Sequence, residues 1–365
     1  MSRFDDLPVG GDAAGNAYLV HAPRSVDTGR GRGALLGLAV GDAFGTTLEF
    51  QRIEAKPFDP PVVGPHRDVT GGGPFQLQAG QVTDDTQMAT ALCVSMMEGG
   101  GFKAKKVGDA YVAWTKHAFD IGNQTRATLG QIAHGTAGRD AGRSVWLDSG
   151  KKAAGNGSLM RTVPIALFYQ DEAERRREVS MEDAAMTHFD PRCQLAGAAY
   201  NGAIAFAVDA SHGVATAHEI LSTARTELAL AAAELTAREP ADAAEAATAL
   251  ANLTEDLDFA EKSDPDLYGA TVNLATMAGF VRVAFRLAFW QLLHAPTFEA
   301  ALIDVVNRGG DADTNGAIAG GLYGAMVGED GIPAAWRSTV EGALKDNSSP
   351  WGTTYHPRRL FALVR

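Results

Sequence analysis

The sequence predicts an all-α protein, and three observations carry that prediction. Apolar residues recur at helical spacing through most of the chain, and no segment alternates convincingly in the two-residue rhythm of a strand. Two small-residue segments carry glycine at every fourth position: Gly33, Gly37 and Gly41 in one, Gly316, Gly320 and Gly324 in the other. Two Asp clusters, Val82-Thr83-Asp84-Asp85-Thr86 and Arg308-Gly309-Gly310-Asp311-Ala312-Asp313-Thr314-Asn315, each open an apolar stretch that reads as a helix.

Residues 1–30 are rich in Gly, Asp and Ala without periodicity and read as a flexible extension. The domain is expected to occupy residues 31–365. Its first core helix is the small-residue run Gly31–Gly45. Residues 51–82 hold Pro57, Pro60, Pro61, Pro65 and the Gly71-Gly72-Gly73-Pro74 run, a long irregular stretch of the kind that is usually functional. From Thr86 to Glu98, Met88, Leu92 and Met96 share one helical face. Helical patterns continue at 103–119, 124–134, 159–170, 181–186, 192–210, 214–236, 240–254, 270–292, 297–306 and 313–327. The Ala/Glu-rich region 224–262 reads as a peripheral helix-and-loop insertion whose charges are solvated. Interior glycine costs a helix roughly 1 kcal/mol relative to Ala. A glycine face repeated through 316–324 therefore implies a second helix in close approach, and the segment with Gly33, Gly37 and Gly41 matches its spacing.

Composition narrows the function. Lys+Arg 32 against Asp+Glu 44 gives a net charge of −12 with no basic runs, which argues against a nucleic-acid partner. The two cysteines, Cys93 and Cys193, lie in helical patterns, so buried thiols in a reducing compartment are expected rather than a disulfide scaffold. No apolar run is long enough to span a membrane, and the first residues lack a signal-peptide pattern; the expected location is the cytoplasm.

The chemistry sits in the Asp clusters. Carboxylates, threonine hydroxyls and backbone carbonyls are hard oxygen ligands that suit Mg²⁺, Mn²⁺ or Ca²⁺ and suit zinc poorly. If Asp84, Asp85, Asp311 and Asp313 meet in space, full ionisation is disfavoured unless cations neutralise them, which points to a two-metal site. Capping explains either cluster alone: Thr83 suits an N-cap, Asp84 and Asp85 suit a first turn, and Asp311 can cap its own helix. Gly155-Asn156-Gly157-Ser158-Leu159-Met160-Arg161 reads as a loop entering a helix, where backbone N–H groups can meet a phosphate, or as a plain turn. Thr187-His188, Asp42, Glu49 and Asp120 are further polar candidates; a lone His is more often structural, and an Asx-turn accounts for Asp120. No phosphate loop of the GxxxxGK type, no HExxH and no CxxC is present.

Taken in order, GALLGLAVGDAFG at 33–45, VTDDTQMA at 82–89, GNGSLMR at 155–161, Thr187-His188 and GGDADTNGAIAGGLYGA at 309–325 resemble the ADP-ribosylglycohydrolase family, related to dinitrogenase-reductase-activating glycohydrolase. The resemblance implies an all-α fold and a binuclear Mg²⁺ or Mn²⁺ site held by Thr83, Asp84, Asp85, Asp311, Asp313 and Thr314. It implies an ADP-ribose cleft lined by Gly155, Asn156, Gly157, Ser158 and His188. It makes Asp84, Asp85 and Asp313 candidates to orient the attacking water, and Glu49 a candidate to gate the substrate or contact arginine. The expected reaction is hydrolysis of the N-glycosidic bond between ADP-ribose and protein arginine. Another ADP-ribose linkage, such as serine-linked or O-acetyl-ADP-ribose, is the enzymatic alternative. Some relatives carry an acidic residue just before the GNGS-like segment; here the run is Lys151-Lys152-Ala153-Ala154, so the sequence names no general acid. The N-terminal extension resembles additions found in bacterial immunity members that counter ADP-ribosyltransferase toxins. On that reading Phe4, Tyr18, Leu19 and Val20 would be its apolar anchors, with Asp5 and Asp6 as acidic contacts.

Overall fold

The computed structural model describes residues 26–59, 61 and 63–364. Most of the N-terminal extension, with Phe4, Asp5, Asp6, Tyr18, Leu19 and Val20, lies outside the described residues. Among the described residues the chain is helical, with isolated β-bridges in place of a sheet. The helix α1 (Thr28–Gly45) leads through an irregular segment to α2 (Asp84–Gly99). There follow α3 (Ala104–Trp114), α4 (Asn123–Ala133), α5 (Gly138–Asp148), α6 (Val163–Phe168), α7 (Ala173–Thr187) and α8 (Pro191–Ala207). Next come α9 (Ala217–Arg238), α10 (Ala243–Ala260), α11 (Val281–His294), α12 (Phe298–Val306), α13 (Ala312–Val327) and α14 (Ala334–Gly342). A 3₁₀ segment, Pro357–Val364, follows them.

At the centre, α1 and α13 run antiparallel with their backbones in contact. A Cβ added to Gly33, Gly37 or Gly41 would strike the carbonyl oxygen of Gly324, Gly320 or Gly316 respectively, and the same holds in reverse. Residues Gly33–Gly45 of α1 and Ala312–Ala325 of α13 are all buried, so these helices are enclosed on every side rather than amphipathic. Their antiparallel sense sets the C-terminal end of α1, with Asp42, beside the N-terminus of α13. The helix α1 starts at Thr28, where Asp27 Oδ1 accepts from Arg30 N at 2.9 Å, and Arg30 is already buried.

Four regions depart from the sequence expectation. The region 224–262 is no peripheral appendage. It forms parts of α9 and α10, which bury Leu228, Leu235, Leu253 and Leu257. The buried Asp256 of α10 accepts from Arg282 Nε at 2.8 Å and Arg286 Nη2 at 2.6 Å on α11. The pattern at 270–292 yields a helix only from Val281, because Asn273 Oδ1 accepts from Ala275 N and Thr276 N, both at 3.1 Å, and holds that segment in a turn. The helices α5 and α14 have no counterpart among the expected segments. Among the described residues no helix is long and apolar enough to cross a membrane.

Candidate active site

The two Asp-bearing helices begin side by side, and neither is capped by its own N-cap side chain. The N-cap of α2, Thr83, and that of α13, Asp311, make no side-chain capping bond. Carboxylates from elsewhere do this work. Asp42 of α1 accepts from the N–H groups of Thr83 (2.9 Å) and Thr86 (3.1 Å) and from Thr86 Oγ1 (2.6 Å). Glu49 Oε2 accepts from Ala312 N at 2.7 Å and Asp313 N at 3.3 Å. Borrowed caps release Thr83, Asp84, Asp85 and Asp311 from the duty that the capping reading assigned to them.

These carboxylates converge. Asp42, Asp85 and Asp313 form one group, and Glu49, Asp311 and Asp313 a second; within each, one ligand atom per residue lies within 4.8 Å of the others. Asp313 belongs to both, so the two groups share one carboxylate. Thr83 Oγ1 stands 2.9 Å from Asp42 Oδ1, 3.0 Å from Asp85 Oδ2 and 3.3 Å from Asp313 Oδ2. One hydroxyl proton can serve only one of those oxygens. Asp85 Oδ1 is buried without any partner among the described residues. No Lys, Arg or His pairs with any member of either group among the described residues.

Burial, with charge repulsion from neighbouring carboxylates, lifts Asp84 and Asp85 well above the usual carboxylate range. Burial likewise lifts Asp313, although a Glu49 hydrogen bond opposes it. Glu49 is raised by burial and by Asp313 and Asp311. Burial pushes Asp42 to about 6 against its hydrogen bonds from Thr86 and Thr83. Asp120 reaches about 7 through burial and the charges of Asp311 and Asp42. An all-oxygen donor set, an orphaned buried carboxylate oxygen and a crowd of uncompensated acids fit hard divalent cations.

Asp84, Asp120, Asp311, Asp313 and Thr314 line a cavity of about 530 Å³. Gly155, Asn156, Gly157, His188 and Gly279 also line it. Asn156 ties this loop to the acidic residues: its Nδ2 donates to Asp311 Oδ2 at 2.8 Å, and its N–H to Gly279 O at 3.0 Å. His188 is buried, and burial with the nearby Arg161 charge pushes it down to about 3, so it is neutral. Phe50 lines the cavity too, 64% exposed and at φ 60, a conformation that costs a bulky residue strain. A separate cavity of about 310 Å³ borders Trp146, Lys151, Arg192 and Glu245, but its cations are paired, Lys151 with Glu245 and Arg192 with Asp190.

The structure therefore brings together Thr83, Asp84, Asp85, Asp311, Asp313, Thr314 and Glu49, as well as Gly155, Asn156, Gly157 and His188. Within this set, Asp84 belongs to neither three-carboxylate group and faces the cavity instead. Ser158 is not on the cavity wall; it is buried with an unpartnered Oγ. The glycine loop is followed by turns, and α6 begins only at Val163, so no helix N-terminus stands directly behind it. Asp42 and Asp120 are the members that the ligand expectation omitted. Asp42 stands in the Gly-Asp step of the first helix, a signal open to reading only once α1 is placed against α2.

A family model described as ADP-ribosylglycohydrolase matches residues 24–357. The chain is 32% identical over 325 residues to "ADP-ribosylarginine hydrolase Tri1" of Pseudomonas putida (strain GB-1), covering 85% of this chain and 74% of that protein. It is 29% identical to "ADP-ribosyl-[dinitrogen reductase] glycohydrolase" of Rhodospirillum rubrum, covering 86% of this chain and 90% of the relative. A solved structure titled "ADP-ribosylglycohydrolase-related protein complex" superposes with a TM-score of 0.65 at 26% identity, covering 92% of this chain and 97% of that one. With a model match across nearly its whole length, the chain belongs to the ADP-ribosylglycohydrolase family.

Proposed function

We propose that this ADP-ribosyl glycohydrolase depends on divalent metal and cleaves the N-glycosidic bond between ADP-ribose and a protein arginine. The observation that carries the reading is the pair of three-carboxylate groups joined through Asp313 beside the cavity that Gly155, Asn156 and Gly157 line. Asp42, Asp85 and Asp313, with Thr83, would hold one ion; Glu49, Asp311 and Asp313, with Thr314, would hold the other. Bound there, Mg²⁺ or Mn²⁺ supplies a Lewis acid for the ribose hydroxyls and lowers the pKa of a water.

The remaining work falls to the chain. The backbone of Gly155–Gly157 and the ring of His188 offer donors to a diphosphate. Asp84 and Asp120 both line the cavity and interact with one another. Two adjacent carboxyl groups whose ionisation is disfavoured can share a proton. On this reading the pair would be the acid that the sequence left unnamed, delivering the proton that the leaving guanidine needs. Its loss accompanies an oxocarbenium-like transition state, as in glycoside hydrolysis generally. Arginine linkage is favoured by the relative named for ADP-ribosylarginine hydrolysis.

The test is hydrolysis of arginine- and serine-linked ADP-ribosylated substrates in Mg²⁺, after EDTA, and after Mg²⁺ is restored. Release from arginine that EDTA abolishes and Mg²⁺ restores is expected. Full activity in thoroughly chelated protein, or release from serine alone, contradicts the reading.

A further inference from the structure

We infer that Arg161 and Thr187 lock His188 in the tautomer with its proton on Nε2, so that the ring presents one fixed neutral N–H to the cleft and serves as an anion donor rather than a base. The inference deepens the function proposed above and rests on it for the identity of the ligand. Counting donors gives its direction. A guanidinium has N–H groups and no acceptor, so Arg161 Nη2 must donate to Thr187 Oγ1, which stands 2.8 Å away. Thr187 Oγ1 also stands 2.9 Å from His188 Nδ1. The hydroxyl has one proton to give, and among the described residues it makes no other hydrogen bond. Each atom is satisfied when that proton points at the lone pair of Nδ1. A proton on Nδ1 would instead leave the hydroxyl accepting twice and its own buried proton idle, a costly arrangement.

The source of the direction is itself fixed. Arg161 Nε donates to Asp183 Oδ2 at 3.0 Å and Nη2 to Asp183 O at 3.0 Å. The Tyr111 ring lies 4.5 Å beneath the guanidinium, and Tyr111 Oη donates to Asp183 Oδ1 at 2.8 Å. All these groups are buried, so no water competes for the order of donors. At the other end, His188 Nε2 has no hydrogen-bond partner among the described residues, and the ring borders the cavity. A Cβ on Gly157 or Gly155 would sit 3.0 or 3.2 Å from Nε2, so glycine at both positions lets the imidazole lie flush with the loop. With its Nδ1 lone pair engaged and Nε2 protonated, His188 has no free lone pair to accept a substrate proton. It offers a single N–H to an anionic oxygen, which in the proposed substrate is the diphosphate of ADP-ribose. Arg161 and Thr187 are positioning residues.

The test reads the tautomer directly. Protein labelled with ¹⁵N in its histidines is studied by long-range ¹⁵N–¹H correlation, and the His188 signals are those lost in His188→Gln. A pyridine-type Nδ1 and a pyrrole-type Nε2 are expected, unchanged from about pH 5 to about pH 8. Thr187→Val is expected to disturb that pattern and weaken ADP-ribose binding about tenfold by calorimetry, whereas Thr187→Ser keeps both within about twofold. His188→Gln, which retains an N–H donor, is expected to bind ADP-ribose more tightly than His188→Leu. A pyrrole-type Nδ1 in the wild type overturns the inference, and so does a wild-type pattern in folded Thr187→Val. Should Thr187→Val not fold, the wild-type spectrum decides alone. If the wild-type protein binds no ADP-ribose, the proposed function fails while the nitrogen spectrum still settles the tautomer.

Discussion

Replacing Gly37 by alanine tests whether the backbone contact of α1 with α13 is what assembles the site. The added Cβ would lie about an ångström inside the 3.0 Å limit that Cβ atoms respect, with the Gly320 carbonyl oxygen as its neighbour. It would also lie 2.8 Å from the carbonyl carbon of Gly320 and 3.3 Å from Gly324 Cα. All three are helix backbone, which cannot swing aside as a side chain would. Overpacking of this kind costs about 1–3 kcal/mol or more, and the gain in helix propensity returns about 1 kcal/mol. We expect a net loss of about 2 kcal/mol, a fall in melting temperature of about 3 °C for a domain of this size. The matched control is Gly130→Ala in α4, where an added Cβ meets nothing within 4 Å and only the propensity gain remains. The two substitutions should move the melting transition in opposite directions. Displacing α13 also moves Asp313 relative to Asp42, and metal sites tolerate only about 0.2 Å in ligand distance. Mg²⁺ affinity, measured by titration calorimetry, should fall about tenfold or more in Gly37→Ala and stay unchanged in Gly130→Ala. If Gly37→Ala melts at or above the wild type and binds Mg²⁺ equally well, the close contact does not set the site.

Three further outcomes follow from the same geometry. Asp313→Ala should abolish both Mg²⁺ binding events in calorimetry, whereas Asp42→Ala should remove one; equal stoichiometry in the two variants would contradict a bridging Asp313. The stabilisation by saturating Mg²⁺ should grow as pH rises from about 5 to about 7.5, followed by thermal melting. Asp42 and Asp120 are raised from 3.8 to about 6 and about 7, so the metal-free folded state binds more protons than the unfolded chain between those values and loses stability as pH rises. The buried His188 and His356, pushed down to about 3 and about 4, work in the opposite sense and cost stability as pH falls below 6.5. Comparing Mg²⁺-loaded with metal-free protein at each pH cancels the histidine effect, and a pH-independent difference would refute the carboxylate account. Finally, Asp256→Ala should cost about 3 kcal/mol in denaturant unfolding while sparing Mg²⁺ affinity, because it leaves the buried Arg282 and Arg286 with the half-exposed Glu255 as their remaining carboxylate; a near-neutral effect would return α10 to the periphery.

What the sequence disclosed, and what it hid, follows from where each signal resides. The helices α1, α2 and α13 were legible because their glycine repeats and Asp clusters are local patterns with one structural meaning. The helix α5 was not, since Gly138, Asp140 and Gly142 argue against a helix in isolation. Gly142 is explained only in three dimensions, where it packs on the backbone of Ala185 in α7. The helix α14 buries just Trp336 and Val340, too few positions to show a period. Among site residues, Thr83, Asp84, Asp85, Asp311, Asp313 and Thr314 announced themselves by composition. The importance of Asp42 and Asp120 depends on which helix end lies next to which, and that is a property of packing.

The same packing explains why the acids can be buried at all. Carboxylates as desolvated as Asp85 and Asp313 destabilise a fold unless something answers their charge. Here the partial positive ends of α2 and α13 point at the cluster, and the borrowed caps, Asp42 and Glu49, bind those ends. The helix ends therefore offset part of the charge in the protein alone, and the remainder stands as raised pKa values and the unpartnered Asp85 Oδ1. A fold built only for stability would place apolar residues at these positions, as replacements of buried ions elsewhere show to be neutral or favourable. The glycine contacts of α1 and α13 point the same way, since each glycine weakens its own helix for the sake of approach. Both costs fall on the few residues that bring Asp42 and Glu49 each within reach of Asp313. Stability given up on the same few residues supports the proposed placement of the chemistry at this end of the molecule.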